Sequence, residues 1–503
     1  MKHYAVSLAA LALAAALAGC ASFPLLSQSS RLVESRSPAA AAMDDGVLRF
    51  LYAANTNGGG TLLLGNTPIY HASASQRITL VNDPVTGLPA AWELETNENS
   101  TTRITEVHSP DGSLLWSGEG EWRAAMAGSL LALEPGGWQA EAGPSGETGC
   151  HLIDLSTGEE IPLPPDASSC IPTAEGQVVL TITTQENSPN LENSSVVVQT
   201  LDGQQLLHLD RAYAYPAYGF EGENSCISIQ QYQPDTGLWV NSLYNPAAQE
   251  WIPDFFGFCG PDLICYQQED GRYVVRTLDD PTPLATYEGG CSYWNNGLAL
   301  VSTPDSDGVL YFADGTSRPL YSFLSYVSDP VSSSFLFADG TLLLCSEDGT
   351  MTYLEPDLHG AAQVSLYSAE GGYVILALSD EDYNTIAYQI HDASGLVYDS
   401  AAPGALHFYT RISYLTSVDG CPLYQAAYDG PAGSTLYDVL DCSGNVLLTG
   451  LADVAASSLF NLPDGIFGAR QGFERGFMTS TGEWVYAESM FTSLSADDGF
   501  DYL

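Results

Sequence analysis

The sequence predicts an all-β fold, a single large β-propeller of eight blades, with seven to ten allowed. From about Val47 onward, short runs of β-branched, aromatic and Leu residues alternate with Gly, Asp, Asn, Pro and Ser clusters, and no long stretch has helical periodicity. Tight-turn signals recur about 34 to 50 residues apart, near the length of a four-stranded blade. A second strand pair separates most successive turns, as in GQVVLTITT followed by SSVVVQTL. Radial stacking of such units buries both faces of each sheet, whereas a β-sandwich repeats about every 100 residues.

Each turn signal joins two short apolar runs and usually contains Gly after Asp, Ser or Thr. The candidate turns are Asp111-Gly112, Thr157-Gly158, Asp202-Gly203, Asn245-Pro246, Asp279-Asp280, Asp314-Gly315, the region of Asp357, Ser394-Gly395, Ser443-Gly444 and Thr481-Gly482. These ten turns exceed the usual range of about four to eight blades. We therefore expect some of them to be additional hairpins rather than separate blades.

The N-terminus has the pattern of an export signal. Lys2 and His3 precede an Ala- and Leu-rich run over residues 5–18, which is shorter than the roughly 20 residues of a membrane-spanning helix. The following Leu17-Ala18-Gly19-Cys20 resembles the bacterial lipobox, in which the cysteine is diacylated and becomes the new N-terminus. The resemblance implies a lipoprotein signal peptide at 1–19 and lipidation of Cys20. The alternative is an ordinary secretory signal that carries a cysteine by chance.

Beyond Cys20, the composition predicts two further regions. Residues 21–45 are rich in Ser, Ala and Pro without apolar periodicity, so we assign 20–46 to the lipidated cysteine and a flexible tether. Residues 47–503 form the predicted propeller domain. Since two or three acyl chains together make release from a bilayer slow, we expect a lipid-anchored protein on the extracytoplasmic face of the cell membrane.

The charge excludes several classes of function. The chain has 61 acidic residues against 14 Lys and Arg, a formal charge of −47, which disfavours nucleic acid and anionic lipid headgroups as partners. Lys2 is the only lysine, and it would leave with the signal peptide. P-loop enzymes, protein kinases and pyridoxal phosphate enzymes all need a lysine, so these are excluded. Neutral, cationic or metal ligands remain, and much of the acidity serves solubility.

Apart from Cys20, none of the cysteines has zinc-knuckle or thioredoxin spacing. They are Cys150, Cys170, Cys226, Cys259, Cys265, Cys291, Cys345, Cys421 and Cys442. Export permits disulfides, and Cys150 with Cys170 and Cys421 with Cys442 are close enough in sequence to close a loop within one structural unit. The odd total leaves at least one free thiol. In an anaerobic organism all nine would act as small buried hydrophobes.

A family resemblance covers most of the mature chain. Units such as VVVQTLDGQQLLHL and GFMTSTGEWVYAES resemble the repeats of WG-repeat and quinoprotein-like β-propeller lipoproteins of bacteria, in which a strand ends in a D-G or T-G turn followed by Trp or an aliphatic residue. Trp116, Trp251 and Trp484 lie near that aromatic position. The resemblance implies a propeller that acts at the cell envelope.

No catalytic arrangement can be assigned from motifs. Neither G-x-S-x-G nor H-E-x-x-H occurs, and the histidines are scattered singly. We therefore favour a protein that is not an enzyme and predict no organic cofactor. A propeller brings distant residues together at its centre, so an enzyme stays open as an alternative.

Two loops have oxygen ligands of the kind that calcium takes. One contains Asp305 and Asp307 before Gly308, and the other contains Asp380, Asp382 and Asn384. Neither is an EF-hand, and chance clusters are expected among 61 acidic residues. Calcium sites and ordinary solvated turns are thus both open interpretations.

The aromatic segment Tyr213, Tyr215, Tyr218 and Phe220 is the main candidate for ligand binding. Pro216 and Gly219 interrupt it, so it cannot be a regular strand throughout. Exposed rings at a propeller mouth suit stacking on sugars or holding a peptide, while the alternative is packing between blades. The sequence predicts a binding or scaffolding module for a glycan or protein partner. The alternatives are an extracytoplasmic carbohydrate-active enzyme and an envelope assembly factor.

Overall fold

The computed structural model describes residues 43–52, 59–97, 103–136, 149–183, 193–219, 222–295, 297–303, 306–322, 325–328, 332–346, 348–369, 371–403 and 406–489. These residues form eleven antiparallel sheets, which are the blades of a propeller, and contain no α-helix. Two single-turn 3-10 helices lie at Pro431–Gly433 and Ser457–Phe460. The all-β prediction is therefore confirmed.

Blades 1 to 4 are built from strands in chain order. Blade 1 has three described strands, β1 (Leu48–Tyr52), β2 (Gly60–Leu64) and β3 (Thr67–Ala72). Blade 2 has β4 (Gln76–Asn82), β5 (Pro89–Asn97), β6 (Arg103–His108) and β7 (Leu114–Glu119). Blade 3 has β8 (Trp122–Ala127), β9 (Leu130–Pro135), β10 (His151–Asp154) and β11 (Glu159–Glu160). Blade 4 has β12 (Ala167–Pro172), β13 (Gln177–Thr183), β14 (Ser194–Thr200) and β15 (Gln205–Asp210).

Blades 5 to 8 follow the same plan. Blade 5 has β16 (Ala212–Gly219), β17 (Gly222–Gln233), β18 (Leu238–Asn245) and β19 (Glu250–Ile252). Blade 6 has β20 (Phe255–Gly260), β21 (Leu263–Gln267), β22 (Tyr273–Thr277) and β23 (Ala285–Tyr287). Blade 7 has β24 (Gly290–Asn295), β25 (Leu298–Thr303), β26 (Ser306–Tyr311) and β27 (Ser317–Pro319). Blade 8 has β28 (Tyr326–Ser328), β29 (Ser332–Leu336), β30 (Leu342–Ser346) and β31 (Met351–Leu354).

Blades 9 to 11 complete the ring. Blade 9 has β32 (Gln363–Ala369), β33 (Tyr373–Ser379), β34 (Thr385–Asp392) and β35 (Gly395–Asp399). Blade 10 has β36 (Tyr409–Val418), β37 (Cys421–Asp429), β38 (Thr435–Leu440) and β39 (Val446–Leu451). Blade 11 has β40 (Asp453–Ala455), β41 (Ile466–Gln471), β42 (Glu474–Thr479) and β43 (Trp484–Ser489).

The strand order places the first strand of each blade at the centre of the ring. Strands pair in chain order within every sheet. The first strands of neighbouring blades contact one another: β4 contacts β8, and β28 contacts β32. We call the side of the ring where the first strands begin the start face, and the opposite side the end face. Because the strands alternate in direction, hairpins between second and third strands lie on the start face. Turns between third and fourth strands lie on the end face.

Blade 11 packs against blade 1 and closes the ring. Ile466, Phe477 and Tyr486 of blade 11 form one buried cluster with Met43 and Leu63. The Arg49 side chain, which is 0% exposed, crosses this seam. Its Nε donates to the Phe460 carbonyl at 3.1 Å and its Nη2 to the Asn461 carbonyl at 2.6 Å. The first and last described blades are thus joined by buried apolar contacts and by the hydrogen bonds of one side chain.

The predicted number of blades, eight with seven to ten allowed, was wrong: the described residues form eleven. Nine of the ten predicted turns each join the third and fourth strands of a different blade. Asp357 instead lies in the link after β31, and the turn of blade 8 follows Ser346. Nine of the ten turn signals therefore each mark one blade, while blade 1 had no predicted turn. The error came from the usual range of blade numbers, which led us to regard some turns as additional hairpins.

Continuous apolar runs form the middle strands because both faces of each blade are covered. β13 is buried from Gln177 to Thr181, and β33 is buried from Val374 to Leu378. An alternating pattern would be expected only if one face met solvent. The blade surfaces are therefore packed on both sides, like a sheet in an α/β protein.

Polar side chains join the second strand of one blade to the first strand of the next. Glu93 Oε2 accepts from the Ala124 amide at 3.0 Å, and Thr181 Oγ1 accepts from the Ala214 amide at 3.2 Å. First strands are sheet edges, so these amides have no strand partner on that side. The side-chain acceptors satisfy them and fix the spacing of the blades.

Aspartates hold the turns on the end face and account for part of the acidic composition. Asp314 Oδ1 accepts from the Thr316 amide at 2.9 Å, and Asp348 Oδ1 accepts from the Thr350 amide at 2.9 Å. Such side-chain to backbone bonds are typical of Asx turns. Hydrogen bonds from the Thr316 side chain and amide lower the pKa of Asp314. These carboxylates are therefore ionised in the fold wherever they are ionised in the unfolded chain.

Candidate functional site

Blade 5 has a longer second strand than its neighbour, blade 6. Its second strand, β17, has 12 residues, whereas the corresponding β21 of blade 6 has 5. On one side of blade 5, Ala212 and Ala214 pack against blade 4 in a shared core cluster. Successive side chains of a strand point to opposite faces, so Tyr213 and Tyr215 lie on the side toward blade 6.

Four aromatic rings lie together near the start face of blade 5, and we call them the blade 5 ledge: Tyr213, Tyr215, Tyr232 and Trp239. The strand register places Tyr232 directly opposite Trp239, with ring centroids 5.4 Å apart. The Tyr213 ring meets the Trp239 ring edge to face at 5.7 Å and lies 5.8 Å from the Tyr215 ring. Trp239 is 39% exposed and the three tyrosines are half-buried. The ledge is thus a partly exposed aromatic surface on paired strands.

One amide side chain fixes the two tyrosines of the first strand. The Tyr213 hydroxyl donates to Gln230 Oε1, and Gln230 Nε2 donates to the Tyr215 hydroxyl at 3.3 Å. Burial raises the pKa of Tyr213, so its hydroxyl is neutral at physiological pH. Both rings are therefore held by hydrogen bonds before any ligand arrives, which lowers the entropy cost of binding.

The predicted aromatic segment is divided by the fold. Tyr213 and Tyr215 are near the start face, but Tyr218 follows a register shift after Pro216 and lies toward the end face. The Tyr218 side chain and the whole of Phe220 lie outside the described residues. Tyr232, Trp239 and Gln230 were not predicted from the sequence. Their alternation in QQYQPDTGLWVN, on either side of a turn, is the signal that would have placed them on one face.

Other large apolar side chains are exposed on the start face of blades 9 to 11. Tyr383 is 75% exposed, Phe408 60% and Phe473 65%. Tyr383 and Phe473 lie in hairpins between second and third strands, and Phe408 directly precedes β36. The start face therefore has apolar contacts on more than one blade.

The second predicted calcium loop is a hydrogen-bonded turn. Asp380 Oδ1 accepts from the amides of Asp382 and Asn384, both at 2.9 Å, and the Asn384 side chain donates to the same carboxylate. Asp305 lies outside the described residues, as does the Asp307 side chain. Among the described side chains, no three His, Cys, Asp or Glu residues converge on one point where a metal ion would fit. Calcium at either loop stays a prediction.

Two histidines far apart in sequence are linked in blade 9. His359 Nε2 lies 2.8 Å from Asp399 Oδ2, and Gln389 Nε2 lies 3.3 Å from His359 Nε2. Gln389 Oε1 lies 3.0 Å from Nε2 of His391, and burial lowers the pKa of His391 to about 4. Gln389 also donates to the Asp357 carbonyl at 2.7 Å, which ties the network to the link from blade 8. Its partners are carboxylate, amide and backbone groups, so we interpret it as structural.

A cavity of about 230 Å³ lies on the end face, where the first strands of blades 2 to 5 end. Leu80, Met126 and Ile171 line it together with Pro216. Pockets for drug-sized ligands usually measure about 300–1,000 Å³ and contain a few convergent polar groups. This cavity is smaller and largely apolar, so the blade 5 ledge is the better candidate for a binding site.

Comparison with known proteins gives one family and no curated relative. Residues 257–498 match the model of a family described as a domain of unknown function (DUF5046). The matched segment begins within β20 of blade 6 and includes blades 7 to 11, just under half of the chain. No curated protein matches. No helix of the described residues is long and apolar enough to cross a membrane.

Three solved structures illustrate the range of the structural matches. A crystal structure of a eukaryotic initiation factor is 9% identical, with 88% of this chain and 95% of that chain covered and a TM-score of 0.38. BamB from Moraxella catarrhalis is 10% identical, with 87% and 95% covered and a TM-score of 0.25. The computationally designed Ika8 protein is 12% identical, with 69% and 91% covered and a TM-score of 0.23. Identities this low carry no information on function.

Proposed function

We propose that this protein is a lipid-anchored, extracytoplasmic binding module that holds a neutral glycan on the blade 5 ledge. The observation that carries the proposal is the position of Trp239, which is 39% exposed and braced by Tyr213 and Tyr232. Trp and Tyr offer an apolar ring face with a polar edge, which suits the C–H face and hydroxyl groups of a sugar. Loops and hairpins at one face of a rigid ring acquire such sites without disturbing the fold.

The net charge favours a neutral glycan over an acidic one. At −47 the whole chain repels anionic polymers, and the repulsion acts over the Debye length of about 10 Å at 0.1 M salt. Stacking on aromatic rings needs no charge, so a neutral sugar keeps the attraction and avoids the repulsion. Gln230 would add an amide at the edge of the ledge.

Replacing Trp239 with Ala should weaken binding of the recognised oligosaccharide at least about tenfold, because the central stacking surface is removed. Titration calorimetry with a panel of neutral and uronic acid-containing oligosaccharides measures the effect. Trp251→Ala is the matched control, since Trp251 is 38% exposed and lies on β19 at the rim of the same blade. Both variants should keep the unfolding midpoint within a few degrees.

Three results would count against the glycan assignment. They are equal losses in the Trp239 and Trp251 variants, preference for the uronic acid-containing members, and binding of no member of the panel. Recovery of a peptide that occupies the ledge would replace the glycan with a protein partner. None of these results bears on the anchor, which is tested separately.

The anchor rests on the N-terminal pattern that ends in Leu17-Ala18-Gly19-Cys20. Cys20→Ser should abolish labelling by a fatty-acid analogue and move the protein from the membrane fraction to the soluble fraction, because the acyl chains supply most of the membrane affinity. Ala21→Ser, next to the cysteine, is the control and should stay in the membrane fraction. Unchanged membrane association of the Cys20 variant would contradict the proposal.

A further inference from the structure

Two cysteines meet at the end face of blade 10. Cys421 is the first residue of β37, and Cys442 lies in the turn that follows β38. The register pairs Tyr424 with Leu440, and two further steps bring Cys442 opposite Pro422, next to Cys421. The Cys442 thiol beside Cys421 raises the pKa of Cys421, and burial followed by that same thiol raises the pKa of Tyr373 of blade 9 to about 12.

Solvent reaches this pair. Cys421 is exposed and Cys442 is half-buried, whereas the other seven cysteines of the described residues are buried. Cys345, for example, is 6% exposed, and burial raises the pKa of its thiol to about 12. Thiol reactivity needs both exposure and the thiolate form. Exposure, rather than the pKa, therefore separates this accessible pair from the buried thiols of the core.

Close approach alone does not make a pair reactive, as a second cluster demonstrates. Cys265 Sγ accepts from the Cys291 amide at 3.3 Å, and the Cys291 thiol donates to the Tyr293 carbonyl at 3.0 Å. Cys259, Cys265 and Cys291 are all 0% exposed in the core between blades 6 and 7. Their thiols act there as small packing groups.

We propose that Cys421 and Cys442 form a reversible disulfide by exchange with a disulfide-bearing oxidant. The Cys421 thiolate attacks one sulfur of the oxidant disulfide, which forms a mixed disulfide and releases the first oxidant thiol. The Cys442 thiolate then attacks the Cys421 sulfur and releases the second oxidant thiol. The oxidant disulfide gains two electrons and becomes two thiols, and the protein loses two thiols and gains one disulfide.

The disulfide would join two turns that shape the end face of blade 10. It would link the hairpin between β36 and β37 to the turn between β38 and β39, where the Cys442 thiol lies next to Tyr373 of blade 9. Redox state would thereby change the seam between blades 9 and 10. The site lies on the opposite face from the blade 5 ledge, so the inference is independent of the proposed glycan site.

The test uses the full-length protein in detergent, equilibrated at pH 8 with mixtures of oxidised and reduced glutathione, then trapped by alkylation and mapped by mass spectrometry. We expect Cys421 and Cys442 to lose alkylation together with one midpoint, while the seven buried cysteines stay alkylated after unfolding. The unfolding temperature should rise by a few degrees on oxidation. The initial rate should increase between pH 7 and 9, because the attacking group is the thiolate.

Cys421→Ser and Cys442→Ser should each abolish the disulfide, and Cys345→Ser should leave it unchanged. Three outcomes would overturn the proposal. They are no oxidation at any glutathione ratio, oxidation of the buried cysteines at the same midpoint, and a glutathione adduct that stays on Cys421 while Cys442 is present. A fourth such outcome would be a shift of the redox midpoint of the Cys421–Cys442 pair in the Cys345→Ser variant.

Discussion

Arg49→Ala should lower the free energy of unfolding by about 3–5 kcal/mol, because it removes a fully buried side chain together with its hydrogen bonds to a carboxylate and to backbone carbonyls. The guanidinium donates to Asp45 at 2.9 and 2.7 Å as well as to the Phe460 and Asn461 carbonyls across the seam between blades 1 and 11. Truncation removes the donor that these acceptors share and opens a cavity at a buried position. Denaturant unfolding followed by tryptophan fluorescence measures the change.

The matched control is Arg272→Ala. Arg272 is paired with Asp270 at 2.8 Å, but its side chain is 51% exposed, so its loss should leave stability almost unchanged. Arg49→Lys should lower the free energy of unfolding by an intermediate amount. Lysine keeps the positive charge, but its single ammonium group cannot donate to four acceptors as the planar guanidinium does. A loss for Arg49→Ala as small as that for Arg272→Ala would mean that the ring does not depend on this seam.

The strands and turns of this fold could be predicted from local sequence because they depend on local chemistry. Asp314 and Gly315, for example, lie between two apolar runs and form a turn. The Asp314 carboxylate accepts from the Thr316 amide, and Gly315 adopts a φ of 83°. The ring depends on contacts of another kind. Arg49 and Phe460 are 411 residues apart, and no local pattern relates them. Counting every predicted turn would have given ten blades, one short of the number that the described residues form, because blade 1 had no predicted turn.

The ledge could be predicted only in part for a similar reason. Tyr213 and Tyr215 stand out in the sequence because they cluster around Pro216. Trp239 joins them through the register of β17 and β18, which sets Tyr232 opposite Trp239. Tyr218 leaves the group because the strand shifts register after Pro216. Sequence proximity identified the first strand of the site, and strand pairing determined the rest.

For the pair Cys421 and Cys442, the sequence alone predicted that the two residues lie close together. Their short separation in sequence suggested that Cys421 and Cys442 close a loop, and the register of β37 and β38 brings them together. The same separation made Cys150 and Cys170 an equal candidate, but both are buried. The Cys150 thiol donates to the Ala167 carbonyl at 3.4 Å, and burial raises its pKa to about 12. The short separation in sequence predicted which cysteines lie close together, and burial determined which of these thiols can react.

The contribution of Glu93 to stability should fall as the pH rises from about 4.5 to about 7. Burial raises the pKa of Glu93 to about 7 from its ordinary value of 4.5, with Glu95 adding to the shift and the Ala124 amide opposing it. In this window the unfolded chain releases the proton and the folded chain keeps it. The cost above pH 7 is on the order of 3 kcal/mol, from about 1.4 kcal/mol per pKa unit.

Glu93→Gln should therefore raise the free energy of unfolding by about 3 kcal/mol at pH 8 and by almost nothing at pH 4, because Gln stays neutral while its carbonyl still accepts from the Ala124 amide. Glu269→Gln is the control. It removes the same charge from an exposed hairpin and should give equal, small changes at both pH values. The turn aspartates do not interfere, since hydrogen bonds lower their pKa and their contribution is lost only at more acidic pH. The free energies of unfolding of wild type and Glu93→Gln could instead change in parallel from pH 4 to 8. Glu93 would then be ionised in the fold, and solvent would reach this seam between blades 2 and 3.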